Sequence, residues 1–555
     1  MPGTYFTGRK RNTHRSPNEI FIGAYFLPES RKIAVLPFAA KLFAVTDENG
    51  EKFFEGEVRH YGLDECSGDD VYIADLSTFR RPGTYRVTAE GKRSAVFHIA
   101  ENVHKTLLHD TLRAFYYMRC GCGLDERFAG VYAHEKCHTA LAEIYDGGGE
   151  LDVTGGWHDA GDYGRYVTAG AVACAQLLYA YKLFPGVFES FCCDIPESGS
   201  GVPDILSECR VELEWLLKMQ RPDGAVYHKA TTFRHAPFVM PENDNDKLWV
   251  FPPSSSAAAD LCAVCALAAG IYGRYDGEFS ERLKQAALLA YGWLEKHPEL
   301  VGFDNPDGCD TGIYGENDDR DNRYWASAEL WALTGEERFY KTFHYLFETA
   351  FEGERSYVRT ALGCGDVGGL GSLAYILCER PERDEETAAK LKDGFYYEAL
   401  WLEDKVKRSG YGAAMFEQDY YWGSNMALLQ NAMKFALAER FSGDGHFREL
   451  AEGQTAVLTG LNPLGICYIT GHGEFRCGEP HFRPAAADGI DECIPGFVTG
   501  GPNRKLDDPR LREIIPPGTP PMKCFADDVE CYSLCEVTIY WNSPAVFIYG
   551  YLNDK

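Results

Sequence analysis

Two aspartates three residues apart, Asp159 and Asp162, have the spacing in this sequence that most directly suggests chemistry. They lie within residues 155–164, GGWHDAGDYG, just before a helical pattern begins. Two carboxylates held this closely can share one water molecule, and the glycines permit positive φ and close approach of the backbone to a ligand. An Asx-rich turn that caps a helix has a similar composition. The pair alone therefore leaves a catalytic and a structural interpretation open.

A third carboxyl, Glu536, lies at the edge of a strongly apolar pattern that predicts a helix over 535–550. Burial penalises the charged form of a carboxyl, so Glu536 in such surroundings would have a raised pKa and could act as a general acid near neutral pH. The alternative is a glutamate that interacts with the dipole at the helix N-terminus. Both interpretations fit the sequence.

The composition is that of a globular protein that binds a neutral ligand. The 555 residues are 45% hydrophobic and 25% charged, and this length makes two domains the expectation. A formal net charge of −28 argues against nucleic acid as a partner, because that binding depends on Lys and Arg that release counterions. The nine Trp and 33 Tyr supply flat faces on which sugars can stack.

Localisation is predicted from the N-terminus and from the cysteines. The segment before Glu19 is polar and basic and lacks the apolar run of a secretory signal. We expect no segment of 18 apolar residues that could span a membrane. The 19 cysteines are scattered through helical patterns, which suits free thiols in a reducing compartment. We therefore expect a cytoplasmic monomer with no membrane partner; a secreted protein whose leader has been removed is the alternative.

The chain divides into three parts by its patterns. A polar tail (1–18) precedes six or seven short strand patterns in residues 19–100, which predict a small β-sandwich. About twelve helical patterns follow in residues 101–555. In antiparallel pairs they suit a closed barrel of six hairpins, although the periodicity also fits an open solenoid. Long aromatic loops, at 223–256, 301–320 and 461–529, are where function is expected.

Five motifs in order resemble those of glycoside hydrolase family 9. They are residues 155–164, YYWGSN at 420–425, NPLG through PHFR at 462–483, GGPN at 500–503, and the block at 532–544. Members of that family are inverting β-1,4-glucanases on an (α/α)6 barrel, and one subgroup carries an immunoglobulin-like N-terminal domain. The resemblance covers essentially the whole chain. It implies a mainly α fold, with the barrel preceded by an immunoglobulin-like β-sandwich.

The resemblance assigns a role to each carboxyl. Asp162 matches the general base, Asp159 the partner that orients the attacking water, and Glu536 the general acid. Inversion needs a carboxylate that activates water on one face of the sugar and an acid that protonates the leaving oxygen on the other.

The resemblance also implies residues that contact the sugar. His481 and Arg483 match a pair that contacts sugar hydroxyls next to the scissile bond. The family often has histidine where this chain has Phe482, and asparagine is usual where it has Cys535. Both departures put fine specificity in doubt more than the reaction itself.

Three aromatic residues are candidate stacking platforms for sugar rings. Trp422, Tyr532 and Trp249 have the flat faces that this role requires. Each of them is equally compatible with a place in the core.

Two thiols and two imidazoles suggest a structural zinc site. Cys120, Cys137, His138 and His158 form such a ligand set, but their spacing is not that of a zinc finger and also fits buried thiols and hydrogen-bonded histidines. The resemblance implies zinc, since members with the immunoglobulin-like domain carry zinc ligands here. An ion at His158 would attach the Asp159 loop to the start of the barrel. Cys122 and His134 are the alternative ligands.

The acidic loop at 316–322 offers oxygen ligands suited to calcium. It resembles a family calcium site, with Asp318, Asp321 and Asn322 as ligands and Asp366 as a later acid. A solvated run of charges is the alternative. No organic cofactor is expected.

Taken together, these observations predict an inverting hydrolase of β-1,4-glucosidic bonds in cellulose, related β-glucans or cello-oligosaccharides. Within the family, the alternatives are an exo-acting cellodextrinase, a β-glucosidase or a glucosaminidase. A non-catalytic carbohydrate-binding protein is the alternative from another class, and the retention of all three carboxyls argues against it.

Overall fold

The computed structural model describes residues 20–349 and 358–554, so the predicted tail, residues 1–18, lies outside the described residues. The first part of the described chain is built of strands. They are β1 (Phe21–Ile22), β2 (Tyr25–Phe26), β3 (Ile33–Leu36), β4 (Leu42–Thr46), β5 (Lys52–Asp64), β6 (Asp69–Asp75), β7 (Gly83–Ala89), β8 (Lys92–Arg93) and β9 (Phe97–Ile99).

These strands pair in the order β1-β3-β6-β5-β4-β7-β9-β2, with β8 on β7. The 13-residue β5 pairs antiparallel with β4 through its first half and with β6 through its second half, so one strand joins the two halves of the sheet. Along β7, Tyr85, Val87 and Ala89 are buried and alternate with more exposed residues. This alternation gives the sheet one apolar face, as a sandwich requires.

Helices dominate from Lys105 onward, so the predicted change from strands to helices falls where expected. The helices are α1 (Lys105–Tyr117), α2 (Glu126–Ala129), α3 (Val167–Leu183), α4 (Pro185–Phe188), α5 (Asp204–Lys218), α6 (Ser255–Tyr272), α7 (Gly277–Lys296), α8 (Arg320–Thr334), α9 (Glu337–Glu348), α10 (Gly368–Ile376), α11 (Glu385–Lys407), α12 (Ser424–Ser442), α13 (His446–Leu458), α14 (Arg483–Ala487), α15 (Pro509–Ile514), α16 (Tyr532–Cys535) and α17 (Ile539–Asn553).

The long helices form an inner and an outer set. Helix α3 contacts α6, α6 contacts α8, and α8 contacts α10, while α17 contacts both α3 and α12. Every residue of α3 except Lys182 is buried, and α10 is buried throughout. The outer helices α1, α5, α7, α9, α11 and α13 pack against this set. In α9 only Phe339, Phe343, Leu346 and Phe347 are buried, which is the single apolar stripe of an amphipathic helix.

Helix α6 contradicts the expectation that no segment of 18 residues is apolar enough to span a membrane. Its 18 residues, Ser255–Tyr272, have a mean hydropathy of 1.5 and are long enough to cross a membrane by composition. However, 89% of this segment is buried among the other helices. Its apolar character on all sides is therefore explained by its place in the inner set.

A small second sheet lies in the loops next to the Asp159 segment and was not predicted. Its strands are β10 (Ala142–Ile144), β11 (Glu150–Leu151), β12 (Arg165–Tyr166), β13 (Lys229–Thr231) and β14 (Trp249–Val250). Residues Arg165 and Tyr166, predicted as the first turn of α3, instead pair with Ala230 and Lys229. Strands of two or three residues are too short to give a periodic signal.

The two domains are joined by polar contacts. The carboxylate of Asp64, buried at the end of β5, accepts a hydrogen bond of 2.7 Å from the backbone N–H of Gly410. Asp69 forms an ion pair of 2.5 Å with Lys523, and Arg86 donates to the carboxylate of Glu474 at 2.8 and 2.9 Å. Through these contacts the β domain packs against loops of the helical domain.

Candidate active site

Asp159, Asp162 and Glu536 line a common cavity of about 720 Å³. The other residues that line it are Ala160, Tyr166, His235, Asp310, Gly312, Ile313, Tyr314, Trp422, His481, Arg483, Tyr532, Tyr540 and Trp541. The fold thus brings together the three carboxyls that the sequence singled out, and the space between them is large enough for water and a sugar ring.

The segment 155–164 is held by backbone contacts on several sides. Asp159 N donates to the carbonyl of Gly164 at 2.9 Å, and its own carbonyl accepts from Ile539 N, at the start of α17, at 2.9 Å. A Cβ on Gly161 would lie 1.9 Å from the carbonyl oxygen of His481. We expected the glycines to allow a close approach to a ligand, but Gly161 instead allows a close approach to the neighbouring loop.

Asp162 lies among groups that stabilise its charge. Its Oδ2 is 3.2 Å from His235 Nδ1 and accepts from Gly164 N at 3.2 Å and from the Tyr166 hydroxyl at 3.4 Å. Burial on its own would raise the pKa of Asp162, but the hydrogen bond and charge of His235, together with the charge of Arg483, outweigh it and hold the pKa well below its usual range. The side chain is therefore a carboxylate at neutral pH.

Asp159 has a different environment. Its Oδ2 accepts a hydrogen bond of 2.6 Å from the Tyr314 hydroxyl, while its Oδ1 is buried with no hydrogen-bond partner among the described residues. Burial, followed by the charge of Asp162, raises the pKa of Asp159 well above its usual value. An unpartnered buried oxygen facing a cavity is a ready acceptor for a water molecule.

The sequence predicted that Glu536 lies in a helix beginning at Cys535. In the structure it lies in an extended segment before α17. Its backbone bridges to His481, and Val537 next to it bridges to Thr499. Helix α17 begins only at Ile539, where the side chain of Thr538 caps it. Glu536 therefore precedes the cap and does not occupy the first turn, so the interpretation as a glutamate on the helix dipole is wrong.

The pKa of Glu536 is raised to about 8, first by burial and then by the charges of Asp162 and Asp159. Its Oε2 accepts a hydrogen bond of 3.1 Å from Trp422 Nε1. At neutral pH this residue holds its proton. The cavity thus has a proton donor and a proton acceptor facing the same space, the arrangement that acid–base chemistry requires.

Of the predicted sugar contacts, His481 and Arg483 line the cavity, but both are also held by backbone groups. His481 Nδ1 lies 2.6 Å from the carbonyl of Val529, and burial lowers the pKa of this histidine to about 4. Arg483 donates from Nε to Ala236 O and from Nη1 to Gly161 O, both at 2.6 Å. Arg483 thus also positions the Asp162 loop.

The two departures from the family motifs lie away from the cavity. Phe482 is completely buried, with its ring 4.9 Å from that of Phe497. Cys535 is also completely buried, and its thiol donates to the carbonyl of Ala526 at 3.1 Å. Neither side chain lies among the cavity-lining residues.

The predicted aromatic platforms separate into two groups. Trp422 and Tyr532 line the cavity, with their ring centroids 5.1 Å apart, and the Trp422 ring is 41% exposed and free to receive a ligand. Trp249 is not among the cavity-lining residues, so its role as a platform stays a prediction. It packs with Phe233 at 5.3 Å, and Lys247 Nζ lies 4.1 Å from its ring centroid.

Two residues that contact the catalytic aspartates were missed. His235 pairs with Asp162, and Tyr314 hydrogen-bonds to Asp159. Both lie in long loops, 223–256 and 301–320, that were predicted to carry function. A lone His or Tyr in such a loop has no motif, so only the region could be found from the sequence.

The four predicted metal-ligating side chains come together. The ligand atoms of Cys120, Cys137, His138 and His158 all lie within 4.8 Å of one another. His138 Nδ1 is 3.3 Å from His158 Nε2, and the other nitrogen of His138 is 3.2 Å from Asp244 Oδ2. A carboxylate behind a ligating histidine is typical of metal sites.

The alternative ligands, Cys122 and His134, are not part of that group. The ring Nδ1 of His134 lies 2.7 Å from the carbonyl of Glu135. The four residues chosen first are therefore the set that the fold assembles.

The predicted calcium ligands are only partly brought together. Asp318 is engaged by Arg320, which donates to both of its carboxylate oxygens at 2.8 and 2.9 Å, so its role as a ligand stays a prediction. Asn322 donates to Asp260 at 2.9 Å, and burial followed by the charge of Asp366 raises the pKa of Asp321 to about 7.

Two acids that the sequence analysis did not name, Asp260 and Glu316, adjoin Asp321 and Asn322. Burial raises the pKa of Asp260 to about 8 and that of Glu316 to about 10. Asp260 Oδ2, Glu316 Oε2 and Asn322 Oδ1 are buried with no hydrogen-bond partner among the described residues. Such a group of oxygens fits a hard cation.

Comparison with known proteins is consistent with this geometry. A cellodextrinase from Butyrivibrio fibrisolvens is 44% identical over 535 residues, which are 94% of this chain and 97% of the relative. The structure of AaCel9A in complex with cellobiose-like isofagomine has a TM-score of 0.89 and 35% identity, covering 97% of this chain and all of the other. A Zn-binding triple mutant of the GH family 9 endoglucanase J30 has a TM-score of 0.89 and 34% identity, covering 96% of this chain and all of the other.

Two family models match the two domains. The model of the cellulase N-terminal ig-like domain matches residues 24–94. The model of glycosyl hydrolase family 9 matches residues 104–549, which include Asp159, Asp162 and Glu536. The chain therefore belongs to glycosyl hydrolase family 9, with an immunoglobulin-like domain preceding its helical domain.

Proposed function

We propose that this protein hydrolyses β-1,4-glucosidic bonds with inversion, using Glu536 as general acid and Asp162 as general base. The observation that carries this proposal is the opposite pKa shift of two carboxyls that face one cavity. Glu536 holds a proton to about pH 8, whereas Asp162 is ionised at any ordinary pH. Environments that push two carboxyl pKa values apart are the usual origin of an acid and base pair.

The reaction proceeds in a single displacement. Asp162 takes a proton from a water molecule, which Asp159 orients through its unpartnered Oδ1, and this water attacks the anomeric carbon. Glu536 gives its proton to the leaving glycosidic oxygen as the bond breaks. The water and the leaving group lie on opposite faces of the sugar, so a β-linkage yields an α-anomer.

The anomer of the first product tests this mechanism. We expect proton NMR, recorded within the first minutes of cellohexaose hydrolysis, to show the α-anomer ahead of mutarotation. A β-anomer would mean a covalent intermediate and would overturn the assignment of Asp162. Absence of any new reducing end would instead favour the non-catalytic carbohydrate-binding alternative.

We infer that the substrates are short, soluble cello-oligosaccharides. This rests on the 44% identity to a cellodextrinase over nearly the full length of both chains. Endoglucanases are also among the similar structures, so endo cleavage is the second candidate. Steady release of small sugars from cellohexaose, with little loss of viscosity in carboxymethylcellulose, is expected; a rapid fall in viscosity would favour the endoglucanase.

We infer that the helical domain is a closed (α/α)6 barrel. The inner helices α3, α6, α8, α10, α12 and α17 and their outer partners supply six hairpins. The similarity to solved family 9 structures, with TM-scores near 0.9, supports this arrangement.

We infer that the group of Cys120, Cys137, His138 and His158 holds a structural zinc ion. The donor set is that of a closed zinc site, and a Zn-binding triple mutant of a family 9 endoglucanase is among the similar structures. When bound, the ion would fix His158, the residue directly before Asp159.

Calcium is proposed at the group of Asp260, Glu316, Asp321 and Asn322. These side chains bring several buried oxygens and more than one carboxyl to one place without a balancing cation. Calcium would relieve that repulsion and stabilise the loop between α7 and α8. We expect the midpoint of thermal unfolding to rise with added Ca²⁺ in the wild type but not in Asp321→Asn; an equal rise in both would contradict the site.

A further inference from the structure

A second group of metal-ligating side chains lies behind the catalytic acid. The ligand atoms of Cys477, Asp527 and Cys535 all lie within 4.8 Å of one another. Both cysteines are completely buried, and the Cys477 Sγ is 3.0 Å from Asp527 Oδ1. This group is separate from the four-residue group next to Asp159 and shares no residue with it.

The carboxylate of Asp527 is held in place from behind. Its Oδ2 accepts from Gly478 N and its Oδ1 from Glu479 N, both at 2.9 Å. These two backbone donors fix the direction of the side chain. A half-buried carboxylate fixed next to two buried thiols is an arrangement that a cation would complete.

Tyr468, nine residues before Cys477, carries a buried hydroxyl. Tyr468 is 2% exposed, and its hydroxyl has no hydrogen-bond partner within the described part of the chain. The groups that act on this hydroxyl by their charge are the two thiols, Cys477 and Cys535. An unpartnered buried polar atom calls for an explanation, such as a ligand that has yet to bind.

We propose that Cys477, Cys535 and Asp527 form a binding site for a thiophilic divalent cation of the zinc class. Binding would replace the two thiol protons, which leave to solvent, so that two thiolates and one carboxylate face the dication. A tetrahedral zinc ion, with Zn–S of about 2.3 Å, places two sulfurs about 3.8 Å apart. The observed spread of the ligand atoms is compatible with that spacing after small side-chain shifts.

The position of this site gives it a role in organising the active site. Cys535 directly precedes Glu536, and its carbonyl accepts from His481 N at 2.8 Å. Cys477 lies four residues before His481. A bound ion would therefore fix the segment that carries the acid against the segment that contacts the sugar. The thiol at 535, a departure from the family motif, has a function in this arrangement.

Metal analysis of the full-length protein tests the proposal without relying on activity. After incubation with Zn²⁺ under reducing conditions and desalting, we expect two zinc ions per chain in the wild type. The double variant Cys477→Ala/Cys535→Ala should lose one of them. The matched control Cys262→Ala/Cys265→Ala removes two equally buried thiols of α6 and should retain both.

The two zinc sites are distinguished by a further variant. Cys120→Ala/Cys137→Ala should lose the ion next to Asp159 and keep the one proposed here. Equal zinc content in the wild type and in Cys477→Ala/Cys535→Ala would overturn the proposal. So would a disulfide between Cys477 and Cys535 in the zinc-treated protein, seen by peptide mapping.

If the double variant does not fold, X-ray absorption at the zinc edge of the wild-type protein tests the same proposal. Two sites in the wild type would give two sulfurs and an average of one imidazole per zinc, counted from the outer-shell scattering of the rings. Two sulfurs and two imidazoles per zinc would show that only the first group binds zinc, and the proposal would fail. Neither result depends on the proposed hydrolysis, so the two proposals can fail separately.

Discussion

Asp162 and Glu536 carry the same chemical group in one cavity, yet their surroundings differ. Asp162 has His235, a backbone N–H and a tyrosine hydroxyl around one oxygen, with Arg483 close by. The carboxyl of Glu536 accepts a hydrogen bond from the indole N–H of Trp422. The hydrogen bonds and charges around Asp162 replace the hydration that a carboxylate loses on burial. The surroundings of Glu536 do not.

This difference shows that burial alone does not set the proton affinity of a carboxyl. Both side chains lie in the same cavity, and burial raises the pKa of each. The sign of the net shift depends on whether a cation and N–H donors compensate. The experiments below alter these compensating groups in turn, from the carboxyls themselves to a single hydrogen bond.

Removing either carboxyl should have the largest effect. Glu536→Gln and Asp162→Asn should each lower kcat on cello-oligosaccharides by roughly 10²–10⁴-fold, since each removes one proton transfer. The two should separate on a dinitrophenyl β-cellobioside, whose leaving group needs no proton. There Glu536→Gln should recover most of its activity and Asp162→Asn should not. Circular dichroism serves as the control for folding, and equal losses on both substrates would contradict the assignment.

Replacing the cation beside Asp162 should move the acid limb of the pH profile. Without His235 the pKa of Asp162 rises, because its hydrogen bond and charge are what lower it. The base works only when ionised, so in His235→Ala the acid limb of kcat/KM should move to higher pH by about one to two units. Below that limb kcat/KM should therefore fall by about 10- to 100-fold, while activity at pH 7, where Asp162 stays ionised, should change little. An unchanged acid limb would show that His235 does not act on Asp162.

Loss of the Tyr314 hydroxyl should have a smaller effect. Tyr314→Phe removes the hydrogen bond to Asp159 Oδ2 and leaves the ring in place. We expect kcat to fall by about 3- to 10-fold, the net value of one ordinary hydrogen bond. Tyr540→Phe is the matched control, because its hydroxyl contacts Tyr314 at 3.1 Å rather than the aspartate. A larger loss in the control would place the important hydroxyl elsewhere.

The smallest expected effect is a shift of the basic limb of the pH profile, which the general acid Glu536 sets. In the wild type, activity should decline as pH rises through about 8, where Glu536 loses its proton. Trp422→Phe keeps a ring but removes the N–H that stabilises the carboxylate, so the basic limb should move further up by a few tenths of a unit. Trp249→Phe, away from the cavity, should leave the limb unchanged; a downward shift in Trp422→Phe would refute the role of this hydrogen bond.

The sequence identified both domains and the residues with motifs, but not the contacts that set their properties. Asp159, Asp162 and Glu536 belong to motifs with several recognisable neighbours. His235 and Tyr314 are single residues in long loops, and their role depends on contacts made across 73 and 155 positions of chain, respectively (235 − 162 and 314 − 159). Local patterns do not encode such contacts.

Two errors have a common physical cause. The predicted helix over 535–550 treated an apolar run as continuous, whereas residues 536 and 537 pair with other loops and α17 begins at Ile539. The apolar segment of α6 was overlooked because its small residues, mostly Ala, raise hydropathy only modestly. Tertiary contacts determine where α17 begins. The burial of α6 among other helices accounts for its apolar composition.

The contacts of the β domain bear on how such enzymes can be recombined. Glu474 and Lys523, which pair with Arg86 and Asp69, belong to the same long loops that lead to His481 and to Glu536. Exchanging this domain for that of a relative would leave those partners unmatched, and the buried carboxylate of Asp64 would lose Gly410 N. The two domains are therefore expected to be inherited as one unit, with changes on either side of the boundary compensating each other.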